Sequence, residues 1–439
     1  MIELKGKYTK AKIFASTVEE GVISQVYDII NSKAFESQKV VCMPDVHVGA
    51  SGPCGLVATI GDYVCPEHIG VDIGCSVSMM VLDEKIPEKR YAEFEKRVKE
   101  TIPFGFNLHK NIIADKAVAC RFLSNKFFSD KAKWPEMLSD LPDEVTEDWI
   151  SVQLKRIGIS EEVFYKSLGT VGGGNHFIEY DEGKETAAVT FHFGSRNFGK
   201  RVCEYWTEIA KNGFSKEEKR VMLYEFKSEY HKTHSDMSNF SEDYNKYVES
   251  KRNGMIDGYL SGDNLKGYLC DMCFAQAYAA LNHCIVGGLI DDILYDFGID
   301  VERVIKSVHN YIDLEDHTLR KSAIRSYVGE EMLVPFNMRD GVAICEGLSN
   351  AEWLNSCAHG AGRKMSRGAA KATLKLEDFQ ETMKNVYSTT VCEGTLDEAP
   401  MAYKDTEEIK ELIKQTCVVK HMLLPKINIK AVDNGKFKR

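Results

Sequence analysis

The chain has 439 residues, 44% of them hydrophobic and 28% charged, with a formal charge of −10 and a pI near 5.7. Those proportions fit one large or two ordinary globular domains and exclude both a disordered chain and a protein coated in basic surface for bulk nucleic-acid binding. No N-terminal apolar segment follows a basic start, and no uninterrupted run of about 18 apolar residues occurs, so neither export nor a membrane span is predicted. The 13 cysteines, odd in number and scattered through apolar runs, read as reduced thiols or ligands and make the cytoplasm the expected compartment.

In chain order, AKIFA (11–15) predicts a short strand, and Val22, Ile23, Val26, Ile29 and Ile30 recur at helical spacing. A second strand, KVVCM, runs into Pro44-Asp45-Val46-His47-Val48-Gly49, where an extended backbone would put Asp45 and His47 on one face. That spacing suits an ion or a proton transfer, although Pro-Asp is also an ordinary way to open a turn. A glycine-studded loop, 49–55, then leads into LVATIGDYV. Residues 69–82, IGVDIGCSVSMMVL, set Asp72 and Cys75 at a glycine-flanked bend before an apolar strand. A hard carboxylate and a soft thiolate together fit a borderline divalent metal, with a small buried cysteine after a turn as the plainer alternative.

Residues 84–168 pattern as helices with solvated charged faces, broken by an acidic, turn-rich connector at 134–149. In SLGTVGGGNHFIEY (167–180) three glycines precede Asn175 and His176. The run lacks the Gly-Lys-Ser/Thr of a phosphate loop and the dinucleotide spacing. It predicts instead a sharp turn that delivers Asn175 and His176 to a strand in which Asn175, Phe177 and Glu179 share one parity and His176 and Ile178 the other. AAVTFHFGSR ends in His192 and Gly194-Ser195-Arg196. Residues 197–300 read as largely helical, with one long stretch over 264–299 whose Cys270 and Cys273 are assigned to core packing; His231, His234 and His283 are given no function. A β-branched strand ends at His309-Asn310, Arg320-Lys321 follow, and VAICEG is a further strand.

Residues 354–369, LNSCAHGAGRKMSRGA, place His359 among small residues. Gly360, Ala361 and Gly362 let the backbone approach a ligand with its N–H groups exposed, and Arg363, Lys364 and Arg367 fall in the first turns of a predicted helix, MSRGAAKATL. This segment can hold a phosphate against an imidazole nitrogen. Asp72, Cys75, His176, His192 and His309 exceed what one tetrahedral ion with an open position needs, and suffice for two ions sharing a thiolate. Two such ions polarise a phosphoryl group and activate a hydroxyl, His359 would accept a phosphoryl or nucleotidyl group, and Arg196, Lys321, Arg363 and Arg367 would neutralise phosphates. The residues thus describe a metal-dependent enzyme acting on phosphate esters.

Together, Pro44-Asp45-x-His47-x-Gly49, GVDIGC at 70–75, GTVGGGNHF at 169–177, HxGSR at 192–196, His309-Asn310 and HGAGRKMSR at 359–367 resemble the RtcB RNA-splicing ligase family, in order from about Cys42 to Lys430. The resemblance implies an α+β fold with mixed and antiparallel sheets flanked by helices around a central metal cleft. It also implies one catalytic domain over 1–439 with a basic tail from about 432. The implied activity joins RNA ends bearing a 2′,3′-cyclic phosphate or 3′-phosphate to 5′-hydroxyl ends, in tRNA splicing or RNA repair, using GTP and two Mn²⁺ ions and leaving room for an activating protein. By resemblance Cys75 bridges the ions, with Asp72, His176, His192 and His309 completing the set. His359 takes GMP from GTP, the GMP passes to the RNA 3′-phosphate, and the 5′-hydroxyl displaces it. Asp45 matches the acid near the incoming hydroxyl and Asn175 a contact to the nucleotide phosphate. Glu179, Tyr403 and Lys430 match guanine contacts, and Asn337, Met338 and Gly360 to Gly362 the nucleotide surroundings.

The chain departs from that pattern at Ser76-Val77 (usually Gly-Met), in the loop 49–55 (no lysine), at Pro335-Phe336-Asn337-Met338 (often Pro-Gly-Ser-Met) and at Ser322 (usually Gly). None of these removes a ligand or the nucleophile, and they suggest a divergent branch, a repair version. The alternatives are a Mn²⁺-dependent cyclic phosphodiesterase, a 3′-phosphate GMP-capping enzyme without efficient sealing, and a non-catalytic RNA-binding protein, which the intact ligand set speaks against.

Overall fold

The structure is a computed structural model that describes residues 1–432 apart from 235 and 253, so the expected basic tail lies, beyond its first residue, outside the described residues. The first third of the chain holds β1 (Ile2–Lys5), β2 (Lys10–Ile13), α1 (Glu20–Ile30), β3 (Val40–His47), β4 (Cys54–Thr59) and β5 (Ser76–Leu82). Four helices follow, α2 (Tyr91–Thr101), α3 (Lys116–Lys133), α4 (Glu147–Ile157) and α5 (Glu161–Lys166), then the hairpin β6 (Phe177–Glu182) and β7 (Ala187–Phe193). A second helical block comprises α6 (Arg196–Asn212), α7 (Lys216–Thr233), α8 (Phe240–Lys251) and α9 (Gly262–Tyr295). The remainder is β8 (Val301–Val308), β9 (Tyr311–Ile312), β10 (Thr318–Lys321), β11 (Ala323–Arg325), β12 (Glu331–Pro335), β13 (Val342–Gly347), β14 (Ser356–Ala358), α10 (Arg367–Thr373), α11 (Leu376–Thr382), α12 (Thr406–Ile413) and β15 (Cys417–Lys430).

The strands make a six-stranded sheet in the order β1-β2-β3-β4-β10-β9, a seven-stranded sheet in the order β12-β13-β15-β6-β7-β5-β8, and the pair β11-β14. Only β2 and β3 pair in parallel; the α+β class expected from the resemblance is the class observed. The larger sheet curls until its edges meet, the Leu333 amide of β12 donating to the Ser307 hydroxyl of β8 at 2.8 Å. Alternation on β5 then has two buried faces to serve. Val77, Met79 and Val81 fill the inside with Leu333 and Leu423, while Met80 and Leu82 face α2 and α9.

By length and composition α9 could cross a membrane, although no unbroken apolar run marks it; 61% of its most apolar stretch is buried inside the fold. Its apolar surface is that of a core helix, packed against α3 and α6 along one part and against the large sheet along another, with Cys270 and Cys273 in the core. The helix expected to open beneath Arg363 begins only at Arg367, with Ser366 as its N-cap. And β6 begins at Phe177, so strand alternation does not reach back to His176. Phe177 and Glu179 face the cleft and Ile178 and Tyr180 the core, whereas His176, set free by the turn at Gly174 (φ +72°), also reaches the cleft.

One fully buried side chain on α9 ties the core helix to both loops that carry His176 and His192. Asn282 Oδ1 accepts from the amides of Gly169 (2.7 Å) and Thr170 (3.3 Å), and its Nδ2 donates to the carbonyls of Thr170 (3.0 Å) and Gly194 (3.4 Å). Replacing it by an apolar side chain of similar volume strands these backbone groups away from water. Asn282→Leu is expected to lower the unfolding free energy by about 3 kcal/mol, read as a lower urea midpoint at unchanged slope.

Candidate functional site

The strands β6, β7, β5 and β8 are consecutive neighbours, and antiparallel pairing sets the start of each beside the end of the next. Phe177 pairs with His192, and Ser76 pairs with both Phe193 and Val308. Cys75, His176, His192 and His309 therefore meet on one rim of the sheet although they are scattered along the chain. The Cys75 sulfur lies 3.2 Å from His192 Nε2 and 3.6 Å from His176 Nε2, and His192 Nε2 is 3.1 Å from His309 Nε2. His176 Nε2 in turn stands 2.9 Å from Asp72 Oδ2. The donors fall into two triads, Asp72–Cys75–His176 and Cys75–His192–His309, each with its ligand atoms within 4.8 Å of one another, and Cys75 belongs to both.

Burial pushes the Cys75 thiol well above its ordinary range, with Asp72 acting in the same direction, and burial pushes His192 and His309 well below theirs. Both Asp72 oxygens are buried without an aligned hydrogen-bond donor among the described residues. Imidazoles kept neutral by burial, a thiol that a cation would deprotonate and a buried carboxylate form a donor set compatible with a divalent ion. The backbone is shaped to bring them together. A Cβ on Gly194 would collide with Asp72 Oδ1, so the end of β7 reaches the Asp72 loop only as glycine. Asn310, held at φ +64° just after His309, donates to the Asp72 carbonyl (3.2 Å) and accepts from the Ser322 amide (2.8 Å). His283, given no function from sequence, sits behind this rim: it donates from Nε2 to the Phe193 carbonyl (2.8 Å) and accepts at Nδ1 from the Ser78 hydroxyl (2.8 Å).

His359 follows β14 and approaches the rim from the other side, its ring centroid 4.9 Å from that of His309. Its Nδ1 is 2.7 Å from Oδ2 of the fully buried Asp45 on β3. A carboxylate can only accept, so this contact fixes the proton on Nδ1 and leaves the Nε2 lone pair free. Gly362 (φ +71°) allows the approach, since a Cβ there would strike the Asp45 carbonyl. His47, which also lines the cleft, donates from Nδ1 to the Asp45 carbonyl at 2.9 Å. The two triads and His359 line a cleft of about 580 Å³ that continues past Gly360 to Gly362 toward Asn175, Glu179, Asn337, Met338, Tyr403 and Lys430.

The family described as tRNA-splicing ligase RtcB matches residues 25–431. The chain belongs to the RtcB family. It is similar to the RNA-splicing ligase RtcB of Escherichia coli K12, with 27% identity over 397 residues covering 85% of this chain and 86% of that protein. It is also similar to the tRNA-splicing ligase RtcB of Archaeoglobus fulgidus, at 24% over 472 residues (92% and 89%), and to the RNA-splicing ligase RtcB of Mycobacterium bovis, at 23% over 427 residues (85% and 92%).

In this RtcB-family chain the far end of the cleft is organised around a residue the sequence reading missed. Glu398 is buried and accepts from the Tyr403 hydroxyl (2.7 Å), from Lys430 Nζ (3.1 Å) and from Arg363 (3.4 Å), with Arg367 also in contact. Burial alone would raise its pKa, but Lys430, Arg367 and Arg363 outweigh that and hold it down to about 2. Arg363 and Arg367 thus line the cleft, as expected of phosphate-binding groups, with their guanidiniums turned to Glu398 and Asp397. Glu179 lies on the cleft floor, where burial pushes its carboxyl up to about 7. Arg196 and Lys321, grouped with them from sequence, are outside the cleft wall. Arg196 donates to Thr170 Oγ1 (3.0 Å) and the Gly105 carbonyl (2.6 Å), and Lys321 to the carbonyls of Ser51 (2.5 Å), Gly52 (3.1 Å) and Glu67 (3.1 Å). Nothing in DEAP at 397–400 sets Glu398 apart in the sequence, and only the neighbours that folding supplies mark it out.

Because the folded pKa of Glu398 lies below the unfolded value of about 4.3, its contribution is complete above that value and is lost as pH falls toward 2. Glu398→Gln is expected to destabilise by about 3 kcal/mol at pH 7. The gap from the parent should narrow by more than half at pH 3, as measured by urea unfolding at the two pH values.

Proposed function

We propose that this chain is a GTP- and Mn²⁺-dependent RNA ligase that joins 2′,3′-cyclic phosphate or 3′-phosphate ends to 5′-hydroxyl ends, in tRNA splicing or RNA repair. The observation that carries the reading is His359, oriented by Asp45 and standing beside two donor triads that share one thiol. One manganese ion in each triad, with Cys75 between them, would supply positive charge for phosphoryl oxygens and lower the pKa of a bound hydroxyl. His359 Nε2 attacks the α-phosphorus of GTP, the new N–P bond replacing the bond to the departing pyrophosphate. A 2′,3′-cyclic end is first opened by water to the 3′-phosphate; GMP then passes from His359 to an oxygen of that phosphate, the N–P bond breaking as a P–O–P anhydride forms. The 5′-hydroxyl attacks the RNA phosphorus and GMP leaves.

Asp45 holds the His359 proton on Nδ1 throughout the first transfer, so the nucleophile needs no deprotonation at Nε2. Arg363 and Arg367, which line the cleft, would meet the phosphates, while Arg196 and Lys321 act by fixing the loops around 170–176 and 49–55. Glu179, Tyr403 and Lys430 receive the base, with Asn175, Asn337 and Met338 around it. The 13 cysteines, none joined in a disulfide, fit the cytoplasm as working compartment.

With α-labelled GTP and Mn²⁺ the protein is expected to acquire an acid-labile, alkali-stable label that His359→Ala abolishes, and to convert RNA carrying both end types to sealed product. Label without sealing would identify a capping enzyme. End opening without label would remove GTP from the reading. Metal analysis separates the triads: the parent should hold two Mn²⁺ per chain, His309→Ala one, and Cys75→Ala fewer than one, because its thiol serves both sets.

A further inference from the structure

The floor of the cleft carries a buried acceptor that no group among the described residues satisfies. On the adjacent strands β6 and β15, Glu179 stands directly opposite Asn428. Asn428 is fully buried, lines the cleft and donates from Nδ2 to Glu179 Oε2 at 2.6 Å. In its ionised form Glu179 only accepts, and in that form this bond turns the amide with Nδ2 toward Glu179. Its other end, Asn428 Oδ1, is left buried without a hydrogen-bond partner among the described residues. A buried carbonyl of that kind is costly to leave unmatched. Two residues along the same strand, Lys430 brings an ammonium to the same floor, 3.1 Å from Glu398 and 3.2 Å from the Asn175 carbonyl.

The floor therefore offers two neighbouring acceptors, the Glu179 carboxylate and Asn428 Oδ1, and one cationic donor. Guanine shows the complementary edge: N1–H, two N2–H hydrogens and the O6 acceptor. Glu179, with lone pairs to spare beyond those given to Asn428, accepts N1–H and one hydrogen of the amine; Lys430 serves O6. The second amine hydrogen then needs an acceptor. We infer that Asn428 reads the exocyclic 2-amino group of guanine, its Oδ1 accepting the hydrogen that Glu179 does not take. The inference rests on the cleft being a GTP site and adds to that reading a residue that selects guanine over hypoxanthine, the same base without the amine. Adenine, with an acceptor at N1 and a donor at the 6-position, meets the floor with the opposite polarity.

The test is a two-by-two cycle of nucleotide and side chain. GTP and ITP are titrated calorimetrically, with Mn²⁺ present, into His359→Ala protein and into the same protein carrying Asn428→Leu. Loss of Nδ2 weakens both nucleotides and cancels in the ratio, whereas loss of Oδ1 affects GTP alone. The preference for GTP over ITP is expected to fall about tenfold on removal of Asn428. If the Leu variant does not fold by its urea transition, Asn428→Ala closes the same cycle. An unchanged ratio, in protein whose His359-intact form takes up label from GTP, overturns the role of Asn428 and leaves the ligase reading standing. Absence of both label and nucleotide binding overturns the two together.

Discussion

A thiol shared between two groups of ligands sets a severe geometrical demand: Asp72, His176, His192 and His309, from four separate stretches of chain, must gather around the Cys75 sulfur. Antiparallel pairing meets it. The ends of β6, β7, β5 and β8 alternate along one rim, so a residue just before one strand and just after the next become neighbours whatever their distance in sequence. The rest of the local structure protects that rim. Gly194 gives Asp72 room, Asn310 accepts a left-handed backbone to bind the Asp72 loop to Ser322, and Asn282 and His283 brace it from α9. Backbone strain of this kind persists only where its surroundings over-determine it. Here the surroundings are the buried hydrogen bonds of a core helix.

His359 reaches the rim from different scaffolding, the short pair β11-β14, and is oriented by Asp45 from the six-stranded sheet. The catalytic geometry thus depends on how the two sheets and this pair are docked. Gly362 is the tightest point of that docking, passing the Asp45 carbonyl at a distance no side chain allows. Two elements that share no strand pairing are thereby held in register at the point where a transferred group would sit.

What could be read from the chain and what could not divides along a physical line. Asp72 with Cys75, Asn175 with His176, and His192 with Gly194-Ser195-Arg196 were legible because each pairs a reactive side chain with glycines that only a close approach explains. The fold class followed from the same motifs. Glu398, Asn428 and Asn282 were not legible, because a carboxylate or amide declares a function only through the partners folding brings it: three cations, a facing carboxylate, a set of backbone groups. The basic residues were misgrouped for the converse reason. Charge alone put Arg196 and Lys321 with Arg363 and Arg367, and only geometry shows the first two committed to carbonyls and a hydroxyl. Parity failed at His176 because alternation holds within a strand and the strand starts one residue later. By length and composition α9 could span a bilayer, because a helix buried by protein meets the same demand as one buried by lipid.

The two ends of the cleft differ in their electrostatics, and on the proposed reading a nucleotide would lie between them. The metal end gathers lone pairs, a carboxylate, a thiol and imidazoles kept neutral by burial, and is stable in its charged form only with cations beside it. The far end gathers Arg363, Arg367 and Lys430 around the buried Glu398, with Asp397 paired to Arg367 and Glu179 beside Lys430, so its charges are largely matched within the protein. On the proposed reading a guanylate would offer its phosphate oxygens to the metal end and an uncharged base to a floor on which Glu179 and Asn428 supply acceptors and Lys430 a donor. His359 stands where the two ends meet, beside His309 and fixed by Asp45 so that its free nitrogen is Nε2. Its tautomer is thus set by the protein before any nucleotide arrives.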